Sequence, residues 1–368
     1  MRVLVTGSRG FIGKNLVLRM QEQTGLNILQ FARGDSEASL PDLVRQADAV
    51  VHLAGENRPK DPAAFAEVNA GLTQTLCAAL ADSGRRIPLI LTSSIQATLD
   101  NPYGESKRAA ELAVEQLAAD HGQPAVIFRL PNVFGKWCRP NYNSVVATFC
   151  HNIANDLPIH INDASTQLRL VYVDDVVSAI LREIETAAPG LRRTVIEPEY
   201  SITLGELAMQ VEAFRNCRTN LVAERVGTGL TRALYATYVS YLPTAKFAYD
   251  LPSYGDARGV FVEMLKTPDC GQFSFFTALP GVTRGGHYHH SKTEKFLVIR
   301  GSARFRFRHM VTNENFELFT TGDHPRVVET VPGWTHDITN MGSEEMVVML
   351  WANEIFDRAR PDTVSSKV

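Results

Sequence analysis

Near the C-terminus, the stretch Gly281 to Gly301 reads GVTRGGHYHHSKTEKFLVIRG and places His287, His289, His290 and Glu294 within eight residues. Alternate residues of a strand share a face, so His287 and His289 point one way and His290 the other. Imidazole and carboxylate together suit a divalent transition metal such as zinc, nickel, iron or manganese. The plain alternative is a run of histidines in an exposed loop. A second candidate centre is Tyr103-Gly104-Glu105-Ser106-Lys107. On a helix this i,i+4 spacing brings phenol and ammonium to one face. A nearby cation favours the phenolate and would make Tyr103 an acid–base group near neutral pH. Ser94 ends the preceding strand-like run and can hydrogen-bond a substrate carbonyl.

A third stretch, Gly7-Ser8-Arg9-Gly10-Phe11-Ile12-Gly13, follows the strand-like RVLVT and opens a helical pattern. Glycines at this spacing allow a tight turn and close backbone approach to a pyrophosphate, with the helix N-terminus facing its charge. This predicts a dinucleotide site. A carboxylate usually ends the second strand when the cofactor is NAD. Here that strand runs into QFARGD, with Arg33 near the expected place and Arg9 in the glycine loop. Two guanidiniums suit a 2′-phosphate, so NADPH is the expected cofactor. Asp35 is the residue that would argue for NAD instead.

These side chains need a scaffold. A chain of 368 residues suggests two or three domains. Hydrophobic residues make up 45% and charged residues 21%, with a net charge of −3, which gives no sign of nucleic-acid binding. No apolar run reaches about 18 residues, so no membrane span is expected. The chain enters a strand within two residues of its start, so no signal peptide is expected. Cys77, Cys138, Cys150, Cys217 and Cys270 are scattered without a CxxC pair, which predicts idle thiols in a reducing, cytoplasmic compartment.

Strand-like RVLVTG, NILQFAR, AVVHLAG, PLILTSS and PAVIFRLPNVFG alternate with helical segments, which predicts a parallel sheet wrapped by helices. From about Lys136 to Phe247 the pattern loosens into a cap. After Tyr249 short strands with turn residues take over, as in a β-barrel or sandwich. The expected organisation is an α/β Rossmann-like domain over 1–247 and an all-β domain over 248–368, with a linker around Ala248–Asp256.

Together, the glycine loop, VHLAG, Ser94 and the YxxxK stretch resemble the extended short-chain dehydrogenase/reductase family over residues 1 to about 245. The resemblance implies catalytic roles for Ser94, Tyr103 and Lys107. It implies that Gly7, Arg9, Gly10, Phe11, Ile12, Gly13, Arg33, Ala54, Gly55, Asn69, Tyr103 and Lys107 line the cofactor. In RLPNVFG it makes Asn132, with Ser94, a candidate substrate ligand. Two departures stand out. Only eight residues separate Ser94 from Tyr103, which keeps Thr92 and Ser93 as rivals for the hydroxyl role. The family's arginine four residues ahead of the YVDD aromatic is Leu168 here, with Arg169 beside it as the candidate diphosphate ligand.

The C-terminal spacing is similar to the first cupin motif, and Gly333-x-x-His336-x-x-x-Asn340 supplies most of the second. A cupin is a double-stranded β-helix, or jelly-roll, barrel. The resemblance implies that His287, His289, Glu294 and His336 hold a divalent metal, with zinc the expectation. Arg284-Gly285-Gly286-His287 also resembles the RG-x-H stretch of sugar-nucleotide 3,5-epimerases, whose base histidine would be His287. That residue is already committed to the metal. His290, Lys292 and a metal-bound hydroxide remain candidate bases.

The pairing of both halves is similar to the bifunctional reductase-plus-cupin family of UDP-N-acetyl-L-fucosamine synthesis, which serves bacterial capsule and O-antigen. The resemblance implies a homodimer acting on a UDP-4-keto-6-deoxy-HexNAc, UDP-2-acetamido-2,6-dideoxy-β-L-arabino-4-hexulose. It implies C3 epimerisation in the cupin and NADPH-dependent reduction at C4 to UDP-2-acetamido-2,6-dideoxy-L-talose. The ketone links the two steps: it acidifies the C3 proton and accepts the hydride. The competing expectation is a reductase with a non-catalytic structural or dimerisation cupin.

Overall fold

The structure, a computed structural model, describes residues 1–59, 61, 63–186, 188–256, 259–262, 264, 265, 267, 271–354 and 359–368. Cys270 lies outside these residues, as do parts of the predicted strand FVEMLK. The chain forms two compact units. One comprises Met1–Phe134, Tyr142–Ser144 and Leu168–Ser201; the other comprises Gly135–Asn141, Val145–Gln167 and Ile202–Val368.

The first unit contains β1 (Arg2–Thr6), β2 (Asn27–Phe31), β3 (Ala49–His52), β4 (Leu89–Ser94), β5 (Ala125–Leu130), β6 (Asn132–Phe134), β7 (Gln167–Tyr172), β8 (Leu191–Thr194) and most of β9 (Glu199–Thr203). Six strands pair in parallel in the order β2-β1-β3-β4-β5-β8. A short second sheet joins β6, β7 and β9. The apolar runs read as near-continuous because both faces of the main sheet are covered. Leu4, Val50, Leu89 and Ile127 pack on one side against Leu76 and Leu80 of helix Leu72–Asp82 and Val114 and Leu117 of helix Pro102–His121. Val3, Val5, Ile90 and Phe128 pack on the other against Leu16 and Met20 of helix Phe11–Gln21 and Val176 and Ile180 of helix Val173–Thr186. The strand order reverses beside β1. The carboxyl ends of β1 and β3 therefore flank the crevice where such sheets take ligands.

The second unit combines helices Val145–Ala154, Leu204–Asn220 and Gly229–Val239 with the C-terminal strands. Helix Leu204–Asn220 starts in a capping box, Thr203 with Glu206. The strands are β10 (Ala248–Asp250), β11 (Ser253–Asp256), β12 (Gly259–Val262), β13 (Gln272–Ala278), β14 (Thr283–Tyr288), β15 (Glu294–Arg300), β16 (Ser302–His309), β17 (Asn315–Thr321), β18 (Arg326–Glu329), β19 (Trp334–Asn340), β20 (Met346–Ala352) and β21 (Val364–Ser365). They form two antiparallel five-stranded sheets, β10-β18-β15-β20-β13 and β17-β16-β19-β14-β21. Phe296 of one sheet packs on Phe305 of the other, with ring centroids 5.8 Å apart, in an apolar filling typical of a jelly roll. Part of the stretch expected as a linker is strand: Ala248–Asp250 pairs with β18.

Cys77, Cys150 and Cys217 are free and buried, and Cys138 is free and half-buried. Burial pushes the Cys77 thiol up to about 12 and raises Cys150 and Cys217, so these thiols stay protonated and inert. Among the described residues no helix is long and apolar enough to cross a membrane.

Candidate functional site

The glycine loop turns sharply after β1. Gly7 has φ of +69°, and a Cβ there would lie 2.7 Å from the backbone nitrogen of Ala54. A Cβ on Gly13 would lie 2.2 Å from the Gly7 carbonyl oxygen. Both positions therefore require glycine, one for its angle and close approach, the other for packing of the helix against the turn. Gly10 is the N-cap of helix Phe11–Gln21 and has no side chain to satisfy the amides behind it. Those amides are oriented for an anion. Ile12 packs into the core, Phe11 is half-buried, and Arg9 is exposed.

Arg33 lies just beyond β2. Its guanidinium pairs with Glu56 at 2.5 Å, while 83% of its side chain stays exposed. Glu56 also accepts the hydroxyl of Tyr142 at 2.9 Å. Burial pushes its carboxyl up, but the Tyr142 bond, the Arg58 amide and the Arg33 charge together bring it below its ordinary range. Asp35, the residue that would favour NAD, turns back to accept the amide of Ala32 at 2.8 Å. It caps this turn.

Asn69 sits in a π-helical turn, Ala66–Gly71, a local irregularity often found at working sites. It is buried, accepts the Glu56 amide at 2.8 Å, and donates to the Glu56 carbonyl at 3.1 Å and to Ser106 at 3.0 Å. It thereby fixes the Ala54–Glu56 turn. A Cβ on Gly55 would lie 3.0 Å from both Asn69 Oδ1 and Lys107 Nζ. Ala54, Gly55, Asn69 and Lys107 thus meet at the carboxyl end of β3. Behind them the buried His52 ring bonds Thr6 at 2.6 Å and Thr73 at 2.8 Å.

Helix Pro102–His121 is capped by Asn101, whose side chain accepts the Gly104 amide at 2.8 Å. Its first turn carries Tyr103, and the Ser94 hydroxyl acts on the phenol to lower its pKa. Thr92 donates instead to the His52 carbonyl at 3.3 Å, and the buried Ser93 hydroxyl makes no hydrogen bond. Of the three hydroxyls considered, Ser94 is the one that bears on the Tyr103 phenol, while its oxygen accepts the Gln96 amide at 3.1 Å. Lys107 is buried, with Nζ 5.9 Å from the Tyr103 ring centroid. Burial depresses its ammonium to about 8, against the opposing charge of Glu111. The expected bias of Tyr103 toward phenolate is reversed: burial raises its pKa, and the Ser94 hydroxyl opposes this only in part. Desolvation of the phenolate outweighs a cation at this distance.

Asn132 and Arg169 lie on paired strands, with Asn132 opposite Leu170. Asn132 donates to the Arg169 carbonyl at 3.2 Å. The Arg169 guanidinium holds Glu199 of β9, with a hydrogen bond of 2.9 Å. A diphosphate would have to share or displace that carboxylate.

In the second unit His287 comes from β14, Glu294 from β15 and His336 from β19, so both sheets contribute to one cluster. One donor atom from each of His287, His289, Glu294 and His336 lies within 4.8 Å of the others. His289 Nε2 is 3.1 Å and His336 Nε2 3.6 Å from the same Glu294 oxygen. Lys292 holds the other oxygen at 2.7 Å. Burial depresses His287 to about 3 and lowers His336, so both rings are neutral, with lone pairs available. Glu294 is held well below its ordinary value by His289 and His336, against burial. Both ring nitrogens of His336 are buried and make no hydrogen bond. Three neutral-capable imidazoles and one carboxylate, with an orphaned donor among them, fit a divalent metal. His290 lies outside the cluster and stacks edge-on against Tyr288 at 5.4 Å.

Residues unnoticed in the sequence hold this cluster. Asp362, Asn353 and Thr330 accept backbone amides of the segment from His290 to Glu294. No motif marked them, because each lies 36 to 72 residues from the amide it caps.

A doubly wound unit with a glycine-loop crevice and a Ser94–Tyr103–Lys107 constellation defines a nicotinamide-dependent class. Residues 3–196 match the NAD dependent epimerase/dehydratase family, and the chain belongs to it. Residues 254–364 match the Polysaccharide biosynthesis C-terminal domain. Over 368 residues the chain is 57% identical to UDP-2-acetamido-2,6-beta-L-arabino-hexul-4-ose reductase of Pseudomonas aeruginosa, covering 100% of this chain and 99% of that one. It is similar to the crystal structure of the capsular polysaccharide assembling protein CapF from Staphylococcus aureus, with 39% identity, TM-score 0.67 and 100% of both chains covered. A dTDP-glucose 4,6-dehydratase of Mycolicibacterium smegmatis is 27% identical over 236 residues, 52% of this chain and 70% of that one.

Proposed function

We propose that the chain reduces a 4-keto UDP-sugar with NADPH and epimerises its C3 beforehand. The substrate is UDP-2-acetamido-2,6-dideoxy-β-L-arabino-4-hexulose and the product UDP-2-acetamido-2,6-dideoxy-L-talose, on the route to UDP-N-acetyl-L-fucosamine for capsule or O-antigen. The observation that carries this reading is the buried Lys107 with its Nζ 5.9 Å from the Tyr103 ring centroid, in a chain 57% identical from end to end to a named keto-sugar reductase.

Reduction falls to residues 1–247. Tyr103, protonated at neutral pH, gives its proton to the C4 oxygen as charge develops there. Ser94 donates to the same oxygen and aligns it. Lys107 holds the nicotinamide ribose beside Gly55 and offsets the phenolate charge that remains on Tyr103. Arg9 and Arg33 read the 2′-phosphate, Asn132 meets the sugar nucleotide, and Arg169 meets the diphosphate. A bound reduced nicotinamide supplies the hydride.

Epimerisation falls to residues 248–368. His287, His289, Glu294 and His336 would hold a divalent metal, zinc by the nitrogen-rich donor set. A bound cation of this kind polarises the 4-keto oxygen and acidifies the C3 proton. Lys292 fixes the outer oxygen of Glu294. The proton leaves C3 and one returns on the opposite face, which inverts that carbon; reduction of the ketone then removes the acidity that would allow the reverse. The working form is a soluble homodimer.

One observation favours a second reading. Three of the four donors are fully buried, as in closed structural metal sites. The barrel would then be a structural or dimerisation module. The test uses the 4-keto UDP-sugar in D₂O, first without NADPH and then with it, for wild type and His336→Ala. C3 deuteration that disappears in the variant, with NADPH oxidation in the wild type, is expected. NADPH oxidation without C3 exchange leaves a reductase alone.

A further inference from the structure

The segment joining His289 to Glu294 is buried, and every amide in it donates to a side chain from elsewhere. Asp362 accepts the amides of His290 at 2.8 Å, Ser291 at 2.8 Å and Lys292 at 2.7 Å. It also accepts the Ser291 hydroxyl at 3.0 Å. Asn353 Oδ1 takes the amide of Thr293 at 2.9 Å, and Thr330 Oγ1 that of Glu294 at 3.0 Å. Buried amides without partners would be costly, so this cage fixes one backbone path between two members of the cluster.

Asp362 does more than cap. Its carbonyl oxygen is hydrogen-bonded to His289 Nδ1. That bond assigns the proton to Nδ1 and turns Nε2, with its lone pair, toward Glu294. Two residues on, β21 pairs with β14, placing Ser365 opposite His287 and Val364 opposite Tyr288. One short tail therefore orients His289, the segment leading to Glu294, and the strand carrying His287.

We propose that Asp362 is a positioning residue of the metal centre and that the C-terminal tail sets the affinity of that centre. The proposal rests on reading His287, His289, Glu294 and His336 as a metal site. An outer partner that fixes a ligating histidine changes metal affinity by about 10–100-fold.

The experiment titrates apo protein with Co²⁺ against a chromophoric chelator and records the cobalt d–d spectrum. Wild type, Asp362→Asn, Asp362→Ala, His336→Ala and the barrel-core variant Val348→Ala are compared, with NADPH binding as a folding check. Asn keeps the size of Asp but turns a donor toward the amides. Asp362→Asn is expected to weaken Co²⁺ by on the order of tenfold to a hundredfold and to shift the spectrum, Asp362→Ala more so. Val348→Ala is expected to lower the melting temperature and leave both cobalt readouts unchanged. Wild-type affinity and spectrum in Asp362→Asn overturn the positioning role. So does an equal loss in Val348→Ala, which would make the effect one of general stability. No stoichiometric Co²⁺ in wild type, or undiminished binding in His336→Ala, overturns the metal reading itself.

Discussion

Lys107 Nζ lies 5.9 Å from the centroid of the Tyr103 ring, one turn away along helix Pro102–His121. Burial keeps that phenol protonated and therefore a donor. Tyr103→Phe removes the proton and leaves ring packing intact. Keto-sugar reduction, followed at the nicotinamide absorbance, is expected to fall by about 10²–10⁴-fold. Deuterium exchange at C3 should continue at the wild-type rate. Loss of both would mean that the two steps share one site.

Arg33 is held by Glu56 at 2.5 Å. If Arg33 reads a 2′-phosphate, Glu56 competes with the cofactor for it. Glu56→Gln is expected to tighten NADPH by up to about fivefold, since an exposed pair contributes at most about 1 kcal/mol. Arg33→Ala is expected to weaken NADPH by on the order of tenfold to a hundredfold, the worth of a charged hydrogen bond. NADH binding should change little. Fluorescence titration with both cofactors decides the matter, and parallel shifts would remove Arg33 from the discrimination.

Much of this was legible in the sequence because local pattern determines it. Gly7, Gly10 and Gly13 are spaced by the turn they make, and Tyr103 and Lys107 by one helical turn. His287, His289 and Glu294 belong to one short stretch. Long-range relationships were less visible. Asp362 lies 72 residues from the His290 amide it caps. No motif singled out Glu56, which the fold joins to Arg33 and Tyr142. The sign of the Tyr103 shift depends on burial, which a one-dimensional spacing does not contain. The stretch from about Lys136 to Phe247 looked like a cap on the α/β core, yet Gly135–Asn141, Val145–Gln167 and residues 202–247 form one compact unit with the barrel. Part of the reason is the buried charge cluster around Glu329.

His52 makes stability depend on pH. Burial, helped by the charge of Lys107, depresses its ring to about 3 from an ordinary 6.5. Between those values the unfolded chain binds a proton that the folded chain refuses. Stability therefore falls as pH drops below about 6.5, by about 2 kcal/mol at pH 5 from this group alone. His52→Gln should be less stable at pH 7, having lost fitted bonds to Thr6 and Thr73, but its stability should fall less steeply toward pH 5. Urea unfolding at several pH values checks this, and equal slopes would clear His52 of the effect.

Glu329 is buried between two cations. Arg218 of helix Leu204–Asn220 approaches it at 2.8 Å, and Lys295 of β15 pairs with its other oxygen. Both charges hold its carboxyl below the ordinary value despite burial. Glu329→Gln strands two buried cations and is expected to destabilise the second unit by about 3–5 kcal/mol. Replacing the cluster together, Glu329→Leu with Lys295→Met and Arg218→Met, should cost much less. Calorimetry of both variants tests this. A mild effect of the single change would mean that water reaches the cations.

The donor set also predicts which ions stabilise the barrel. Three imidazoles and one carboxylate favour zinc or cobalt over magnesium, which prefers oxygen donors and keeps its waters. An ion that binds only the folded chain at a hundred times its Kd adds about 2.7 kcal/mol. For a unit of this size that raises the melting temperature by about 5–10 °C. Zn²⁺ and Co²⁺ should produce the rise, a chelator should reverse it, and His336→Ala should abolish it. Mg²⁺ should do nothing at equal concentration. An equal rise with Mg²⁺ would point to carboxylates elsewhere in the chain as the sites of stabilisation.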